Sequence, residues 1–593
     1  MTFDLFVLPF SIGLVYLLIV VVERFRHWYV MLPPAIKKEL RHRILCRSTV
    51  NAIWEIIREG LLHKRLWQQN RLLGYMHMSF ALGWFLLIVM GNLESRLYSQ
   101  LHVNPPYYPI FLKFFVHDSH VLPFELTTIP GFFRFIMDFL LLFVLSGLVL
   151  ALFKRSGSRW FGLHHTTKHN AVDRIALTSL WLIFPLRLLA ESFTAGCFGG
   201  GGFLTNSLGR VLSAALPAEH LYYPFWWAYS FSLGVFFILL PYTRYMHIPA
   251  EIAYILLKHW GGPKITQTQS YYECGMQACS RCGVCLDYCQ VACNGNSPST
   301  APAYFIRELR AGRAVKDITE NCLLCGRCQD ACPVGIGLVN LRLWARKQLT
   351  LQDRLLNCPA YPATAARTSV EVVWFAGCMT HLTPNTIKSV KQILQNSGIK
   401  YQWLDADGSI CCGRPMLMTG REQEAMQLIE SNRKAILDTG ARILLTNCPI
   451  CYKMFRDNYQ LNIEIVHHAD FILHLAKADK IKLPSLDQKL ALHIPCELDR
   501  KSEAATALKT LVGRLKNNAQ EIPMSELCCG GSLGSLGEYN SDTKQLCEAA
   551  SKSITQDADV TTITACPLCK KTIDRHSKGP TKDIAEIVME TEK

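Results

Sequence analysis

The stretches Glu-Val-Val-Trp-Phe-Ala-Gly-Cys at 371–378, Cys-Cys-Gly at 411–413 and Arg-Ile-Leu-Leu-Thr-Asn-Cys-Pro-Ile-Cys at 442–451 decide how this chain is read, because their pattern comes a second time. Cys378, Cys411, Cys412, Cys448 and Cys451 are matched by Cys496, Cys528, Cys529, Cys566 and Cys569, at offsets of 118, 117, 117, 118 and 118 residues. Near-constant offsets mark an internal duplication. Apolar, β-rich runs lead into Cys378, Cys448, Cys496 and Cys566, with helix-like stretches such as 384–396 and 421–437 between them. Each copy therefore reads as an α/β unit with its cysteines on loops at the C-terminal ends of strands, the edge where open α/β sheets carry their sites. Five sulfurs per copy is one more than a tetrahedral zinc or an ordinary cubane iron–sulfur cluster takes.

Upstream, Cys279, Cys282, Cys285 and Cys289 follow the spacing C-x2-C-x2-C-x3-C, and Cys322, Cys325, Cys328 and Cys332 repeat it. This is the ligand spacing of two-cluster ferredoxins, in which the fourth cysteine of each run serves the other run's cluster. The resemblance to those ferredoxins implies that Cys279, Cys282, Cys285 and Cys332 hold one [4Fe–4S] cubane, and Cys322, Cys325, Cys328 and Cys289 the other. Gln290 stands after Cys289 where the second run has Pro333. A pair of zinc sites is the competing assignment. Of 24 cysteines, 22 lie in 268–593, and close C-x-x-C spacings fit metal binding in a reducing cytosol better than a secreted disulfide framework.

Residues 1–260 differ in kind. Five apolar stretches, about 5–26, 72–93, 131–153, 173–195 and 222–246, are long enough to cross a bilayer. The first lacks a basic flank and a small-residue cleavage site, so it reads as a retained span. The loops 31–71 and 154–172 are rich in Lys and Arg, whereas 94–130 and 196–221 carry only Arg96, Lys113 and Arg210. The positive-inside rule places the first two loops and the cysteine-rich half in the cytoplasm, the multi-pass part lying in the inner membrane. Much of the net charge of +15 is spent on this orientation rather than on nucleic acid. His77, early in the second span, and His247, at the end of the fifth, fall at equal cytoplasmic depth. They suit bis-histidine ligation of haem b or, alternatively, a headgroup boundary that His27, His164, His165 and His169 also occupy. Arg134 with Asp138 and Arg187 with Glu191, each spaced i, i+4, sit with Glu94 in the outer half as ion pairs or as a quinone pocket or proton route.

The doubled pattern resembles the CCG domain of heterodisulfide reductase-like iron–sulfur proteins, and the order ferredoxin then two CCG domains resembles the catalytic subunit of the membrane-bound members. That likeness implies a noncubane [4Fe–4S] assembly in one or both CCG domains, held by the ten duplicated cysteines. Pro-Tyr-Thr-Arg-Tyr-Met-His at 241–247, with Arg-Leu-Leu-Gly-Tyr-Met-His at 71–77, resembles the haem b subunits of the nitrate reductase gamma type, and implies His77 and His247 as axial ligands; at the depth of that family's second pair the fifth span offers Tyr229. Fusion of the two modules resembles the electron-transfer-flavoprotein:menaquinone oxidoreductases. The expected architecture is multi-domain: a five-helix transmembrane haem b domain at 1–260, a helical two-cluster ferredoxin domain at 268–350, and duplicated α/β CCG domains at 371–480 and 481–593. The expected function is a quinone-linked oxidoreductase taking electrons from a cytoplasmic flavoprotein, since no G-x-G-x-x-G opens a βαβ unit. A quinol-driven disulfide reductase and a non-catalytic relay protein of a larger complex use the same ligands. Cys46, Cys197, Cys274, Cys293, Cys358 and Cys547 have no assigned role.

Overall fold

In the computed structural model the described residues are 5–97, 129–157, 167, 169–199, 201–294, 298–313, 315–349, 370–408, 410–515, 522–531, 541–554 and 557–590. Arg159, His164, His165, Lys113 and Cys358 lie outside them. The chain forms two compact units, 1–284 with 331–336, and 285–330 with 337–593, so the boundary runs through the ferredoxin-like segment.

The first unit is built on five helices long and apolar enough to cross a membrane: α1 (Leu8–Val30), α2 (Arg71–Leu97), α3 (Ile129–Ser156), α4 (Ala171–Phe198) and α5 (Ala218–Leu239). In hydrocarbon each backbone amide must be paired within its own segment, which a helix achieves. Small residues let these helices touch. A Cβ on Gly13 of α1 would lie 2.7 Å from the Gly234 carbonyl of α5, and one on Gly196 of α4 would lie 2.7 Å from the Gly209 carbonyl of the helix Phe203–Ala215. Phe10, Leu87, Val144, Phe184, Trp226 and Phe236 fill the centre of the bundle.

One boundary differs from expectation. The apolar run to 246 is not one helix: α5 stops at Leu239, two 3-10 turns follow at Leu240–Tyr242 and Arg244–Met246, and His247 opens a new helix to Trp260. Pro241 is the cause, since it lacks an N–H and its ring crowds the preceding turn. Thr243 caps the second turn by accepting from the Tyr245 N–H, and the buried Asp173 at the start of α4 accepts from the Arg244 N–H at 3.1 Å.

The second unit contains two four-stranded, wholly parallel sheets of identical order. In the first, β2-β1-β3-β4, the strands are β1 (Val372–Phe375), β2 (Tyr401–Trp403), β3 (Ile443–Thr446) and β4 (Glu464–His467). In the second, β6-β5-β7-β8, they are β5 (Lys489–His493), β6 (Met524–Ser525), β7 (Val560–Thr564) and β8 (Thr581–Asp583). The central strands β1 and β7 are buried throughout, as sheets covered by crossover helices require. The helix Pro384–Asn396 after β1 packs on Ile584–Val588 after β8, and its counterpart Glu503–Arg514 after β5 packs on His468–Lys477 after β4. These equivalent contacts make a pseudo-twofold seam, with one continuous core running from Trp374 and Leu394 to Leu492, Leu511 and Ile587. Duplication supplies a self-complementary surface, so the two copies bury it against each other.

Candidate functional site

In each sheet the cysteines leave the same edge. Cys378 follows β1 by three residues and Cys448 follows β3 by two; Cys496 and Cys566 stand at the same distances beyond β5 and β7. Gly377 has φ +90°, and a Cβ there would meet Cys451 Sγ at 3.0 Å and Cys448 Cβ at 3.1 Å, so the chain bends against the thiols only as glycine. Buried Asp405 fixes that bend: its carboxylate accepts from the Ala376 and Gly377 amides at 2.8 and 2.7 Å and from Trp403 Nε1 at 3.0 Å. His381 stands 3.6 Å from the same carboxylate, whose hydrogen bond raises the imidazole pKa. Asn432 Nδ2 donates to the Cys411 carbonyl at 2.8 Å, and Tyr459 Oη donates to the Cys412 carbonyl at 3.1 Å. Asp405, Asn432 and Tyr459 were not singled out from the sequence. They reach the cysteines from 20 to 50 positions away, with no motif around them.

The thiols form chains of sulfur contacts. In the first copy Cys412 accepts from Cys411 and Cys451, which draws its pKa well below that of an ordinary thiol, while Cys451, donating to Cys412 and touching Cys448, is held protonated. In the second copy the roles recur: Cys529 is the acceptor between Cys528 and Cys569, Cys569 also touches Cys566, and Cys496 Sγ lies 3.6 Å from Cys528 Sγ. The same position of the doubled cysteine is thus the one readiest to ionise in both. Among the described residues no three donors are spaced to hold one metal ion. Five cysteines strung along a buried edge instead suit a group larger than a single ion, for which soft thiolates are the fitting donors. Cys547, unassigned from the sequence, is fully buried against the turn of Gly530 and close to Cys529.

In the ferredoxin-like segment the cysteines fall into two neighbourhoods. Cys332 lies beside Cys279 and Cys282 in the first unit, and Cys328 lies near Cys325, Cys322, Cys289 and Cys285 in the second, so Cys285, expected with Cys279 and Cys282, falls with the other set. Cys289, Cys322, Cys325 and Cys328 line one cavity. Each C-x2-C-G turn carries a non-glycine residue in the left-handed region, Arg281 at φ +54° and Leu324 at +53°, followed past the cysteine by Gly283 and Gly326, also left-handed. Strain repeated at matched positions is characteristic of a loop shaped around a ligand. Among the described residues every cysteine is a free thiol.

In the first unit His77 is partly buried, with the His63 and His247 side chains nearby. His247 Nδ1 bonds the Arg244 carbonyl at 2.7 Å, which fixes the ring and turns Nε2 away from its own helix turn. His63 was missed in the sequence; its ring centre lies 5.6 Å from that of His77, it adopts φ +50°, and its Nδ1 is buried without a partner. Burial pulls its pKa down to about 4. Arg187 and Glu191 form the expected ion pair at 3.0 Å, whereas Asp138 caps a neighbouring helix, accepting from the Leu204 and Thr205 amides at 2.8 and 2.9 Å.

Residues 372–456 and 490–574 each match the family model described as a cysteine-rich domain, CCG, and 275–336 match that of a 4Fe–4S dicluster domain. The chain carries two CCG domains and a dicluster domain. Among its curated relatives is one component of the dihydromethanophenazine:CoB–CoM heterodisulfide reductase of Methanosarcina mazei, 24% identical in an alignment 364 positions long that covers 50% of this chain and 88% of that protein. A component of the CoM/CoB fumarate reductase of Methanothermobacter marburgensis is 22% identical, across 52% of this chain and 70% of its own length. The EtfAB:quinone oxidoreductase of Syntrophomonas wolfei is 22% identical over 177 residues, 28% of this chain and 24% of that protein.

The two CCG domains meet at their cysteine loops. Arg414, directly after Cys411-Cys412-Gly413, pairs with Glu497, directly after Cys496, at 3.3 Å, both side chains being buried, and Lys453 approaches the same carboxylate at 3.5 Å. Leu568, from the Cys-Pro-Leu-Cys turn of the second CCG domain, packs in the apolar clusters of both, and Cys566 lies near Cys448. Arg346 ties the first CCG domain to the dicluster segment by donating to the Met418 and Cys322 carbonyls at 3.2 and 3.1 Å.

Proposed function

We propose that the protein is a membrane-bound iron–sulfur oxidoreductase that carries electrons from a cytoplasmic donor, a reduced flavoprotein, to a quinone, with menaquinone the expected species. The observation that carries this reading is the succession of thiol sites, from Cys448 beside Cys566 to Cys496 beside Cys325, in a chain whose described residues also include five helices of membrane-spanning length. Cys279, Cys282, Cys285 and Cys332 would hold one cubane, Cys322, Cys325, Cys328 and Cys289 the other, the ten CCG cysteines one or two noncubane [4Fe–4S] groups, and His77 with His247 a haem b. Bound in these places, such groups supply one-electron chemistry that no side chain of the protein performs. The protein's own part is to hold the thiols in buried, water-poor loops, to fix their backbones through Asp405, Asn432 and Tyr459, and to orient the His247 ring through Arg244. Arg187, Glu191 and Glu94 offer the charged lining that quinone reduction with proton uptake requires.

A second reading, disulfide cleavage at the CCG seam driven by quinol, is favoured by the likeness to a heterodisulfide reductase component and by the approach of Cys448 to Cys566. Anaerobic stopped-flow spectroscopy decides between them. Reduction of a b-type absorption band by reduced electron-transfer flavoprotein, with reoxidation by menaquinone, is expected. Reduction by a dithiol substrate alone would overturn the first reading in favour of the second. The purified chain should carry about 16 cluster irons and one haem iron, and His77→Ala or His247→Ala should abolish the b-type spectrum with the other irons retained.

A further inference from the structure

The first cysteine run of the dicluster domain departs from the second at one position: Gln290 follows Cys289, where Pro333 follows Cys332. The side chain of Gln290 is buried and makes two hydrogen bonds to a single residue 238 positions away. Its Nε2 donates to the Cys528 carbonyl at 3.0 Å, and its Oε1 accepts from the Cys528 N–H at 2.7 Å. A side-chain amide thereby occupies both backbone groups of one cysteine of the second CCG domain, as a neighbouring strand would. Proline at 290 offers neither a donor nor an acceptor for this. Around the clasp, Val291, Leu323 and Leu546 pack with Cys289, Cys325, Cys496 and Cys528 in one apolar cluster.

We propose that Gln290 is a positioning residue that seats the Cys528 loop of the second CCG domain against the Cys289 and Cys325 loops of the dicluster domain, so that electrons reach the dicluster domain through the second CCG domain. The inference rests on the reading of both cysteine sets as iron–sulfur sites. The step it governs moves a single electron between two sites, with no bond made or broken. A buried amide satisfied by chance would not need to meet both groups of the same cysteine, nor to be adjacent in sequence to a cysteine of the facing set.

The test uses the full chain, purified anaerobically, with Gln290→Leu and Gln290→Glu. Leucine keeps the volume and removes both hydrogen bonds; glutamate retains the acceptor for the Cys528 N–H and loses the donor. Loss of two buried hydrogen bonds should weaken the seating by about tenfold or more. Iron content is expected to equal that of wild type in both variants. In Gln290→Leu the magnetic interaction between reduced sites, read as splitting in the electron paramagnetic resonance spectrum, should collapse, and electron transfer to the dicluster domain should slow by about tenfold or more, with Gln290→Glu intermediate. Full iron with unchanged splitting and rate in Gln290→Leu would overturn the proposal. Iron loss in both variants would also overturn it, making Gln290 a residue of assembly. Wild-type protein that binds zinc in place of iron would instead overturn the functional reading on which the proposal rests.

Discussion

Arg346 offers the sharpest test of how the second unit is held together. It is fully buried, and its guanidinium donates to the carbonyls of Thr319, Glu320, Cys322 and Met418 at 2.8 to 3.4 Å. Thr319 and Glu320 end one short helix and Met418 ends another, so a cation there meets C-terminal carbonyls that have no partner in their own helix. Replacement by Met leaves four carbonyls without these donors, at about 1 to 1.5 kcal/mol each, or about 5 kcal/mol together. Against this, burial lowers the Arg346 pKa from 12.5 to about 10, and removing that buried charge returns about 3 kcal/mol. The net destabilisation is about 2 kcal/mol, local to the junction. Hydrogen exchange measured by mass spectrometry on the intact protein reads this directly: amides in 316–322 and 414–420 should exchange about thirtyfold faster in Arg346→Met. Those in β5 and β7 should be unchanged. Unaltered protection at 316–322 and 414–420 would show that the guanidinium does not fasten the two segments, and would refute the reasoning.

Three further outcomes follow from the geometry. Arg414→Met leaves the buried Glu497 carboxylate with the half-exposed Lys453 alone and should cost about 3 kcal/mol, much of it restored in Arg414→Met/Glu497→Gln; a thermal-melt double-mutant cycle with additive effects would deny the coupling. Glu55 is buried, which alone raises its pKa, but hydrogen bonds from Lys258 and His259 and the charge of Arg65 bring it down to about 2. Its stabilising contribution is therefore complete above the unfolded value of 4.5 and is lost as pH falls toward 2, so the melting-temperature gap between wild type and Glu55→Gln should be constant from pH 7 to 5 and narrow below 4.5. Gly530→Ala places a Cβ 2.9 Å from Cys547 N and Sγ at φ +83°, and should lose the iron of the second CCG domain. Gly440→Ala, with φ +67° and nothing within 4 Å, should be strained by about 1 kcal/mol and keep all its iron.

Much of the architecture was legible because its signals are local. Lipid demands long apolar helices, and five helices of membrane-spanning length stand among the described residues where hydropathy put them, the fifth ending at Leu239 rather than at 246; parallel strands covered on both faces need apolar runs, and the runs before Cys378, Cys448, Cys496 and Cys566 are strands or end in the loop just beyond one. The break before His247 was also written locally, in Pro241, but the surrounding hydropathy concealed it. Less of the site could be read. Asn432 and Tyr459 act on cysteine backbones, and Asp405 on the Ala376 and Gly377 amides before Cys378, through long-range hydrogen bonds, and His63 lies beside His77 across a left-handed turn with no motif of its own.

By itself, the sequence determined the kind of chemistry: cysteine spacing selects the donor set, its repetition announces two equivalent units, and the length of each apolar stretch marks a span. Which thiol set neighbours which was decided only in three dimensions. The pseudo-twofold seam brings Cys566 to Cys448, and the Gln290 clasp brings the second CCG domain, rather than the first, to Cys289 and Cys325. Spacing along a chain limits what neighbours in sequence can bind together. Adjacency between loops hundreds of residues apart depends on the packing of the helices and sheets that carry them, and no local pattern encodes it.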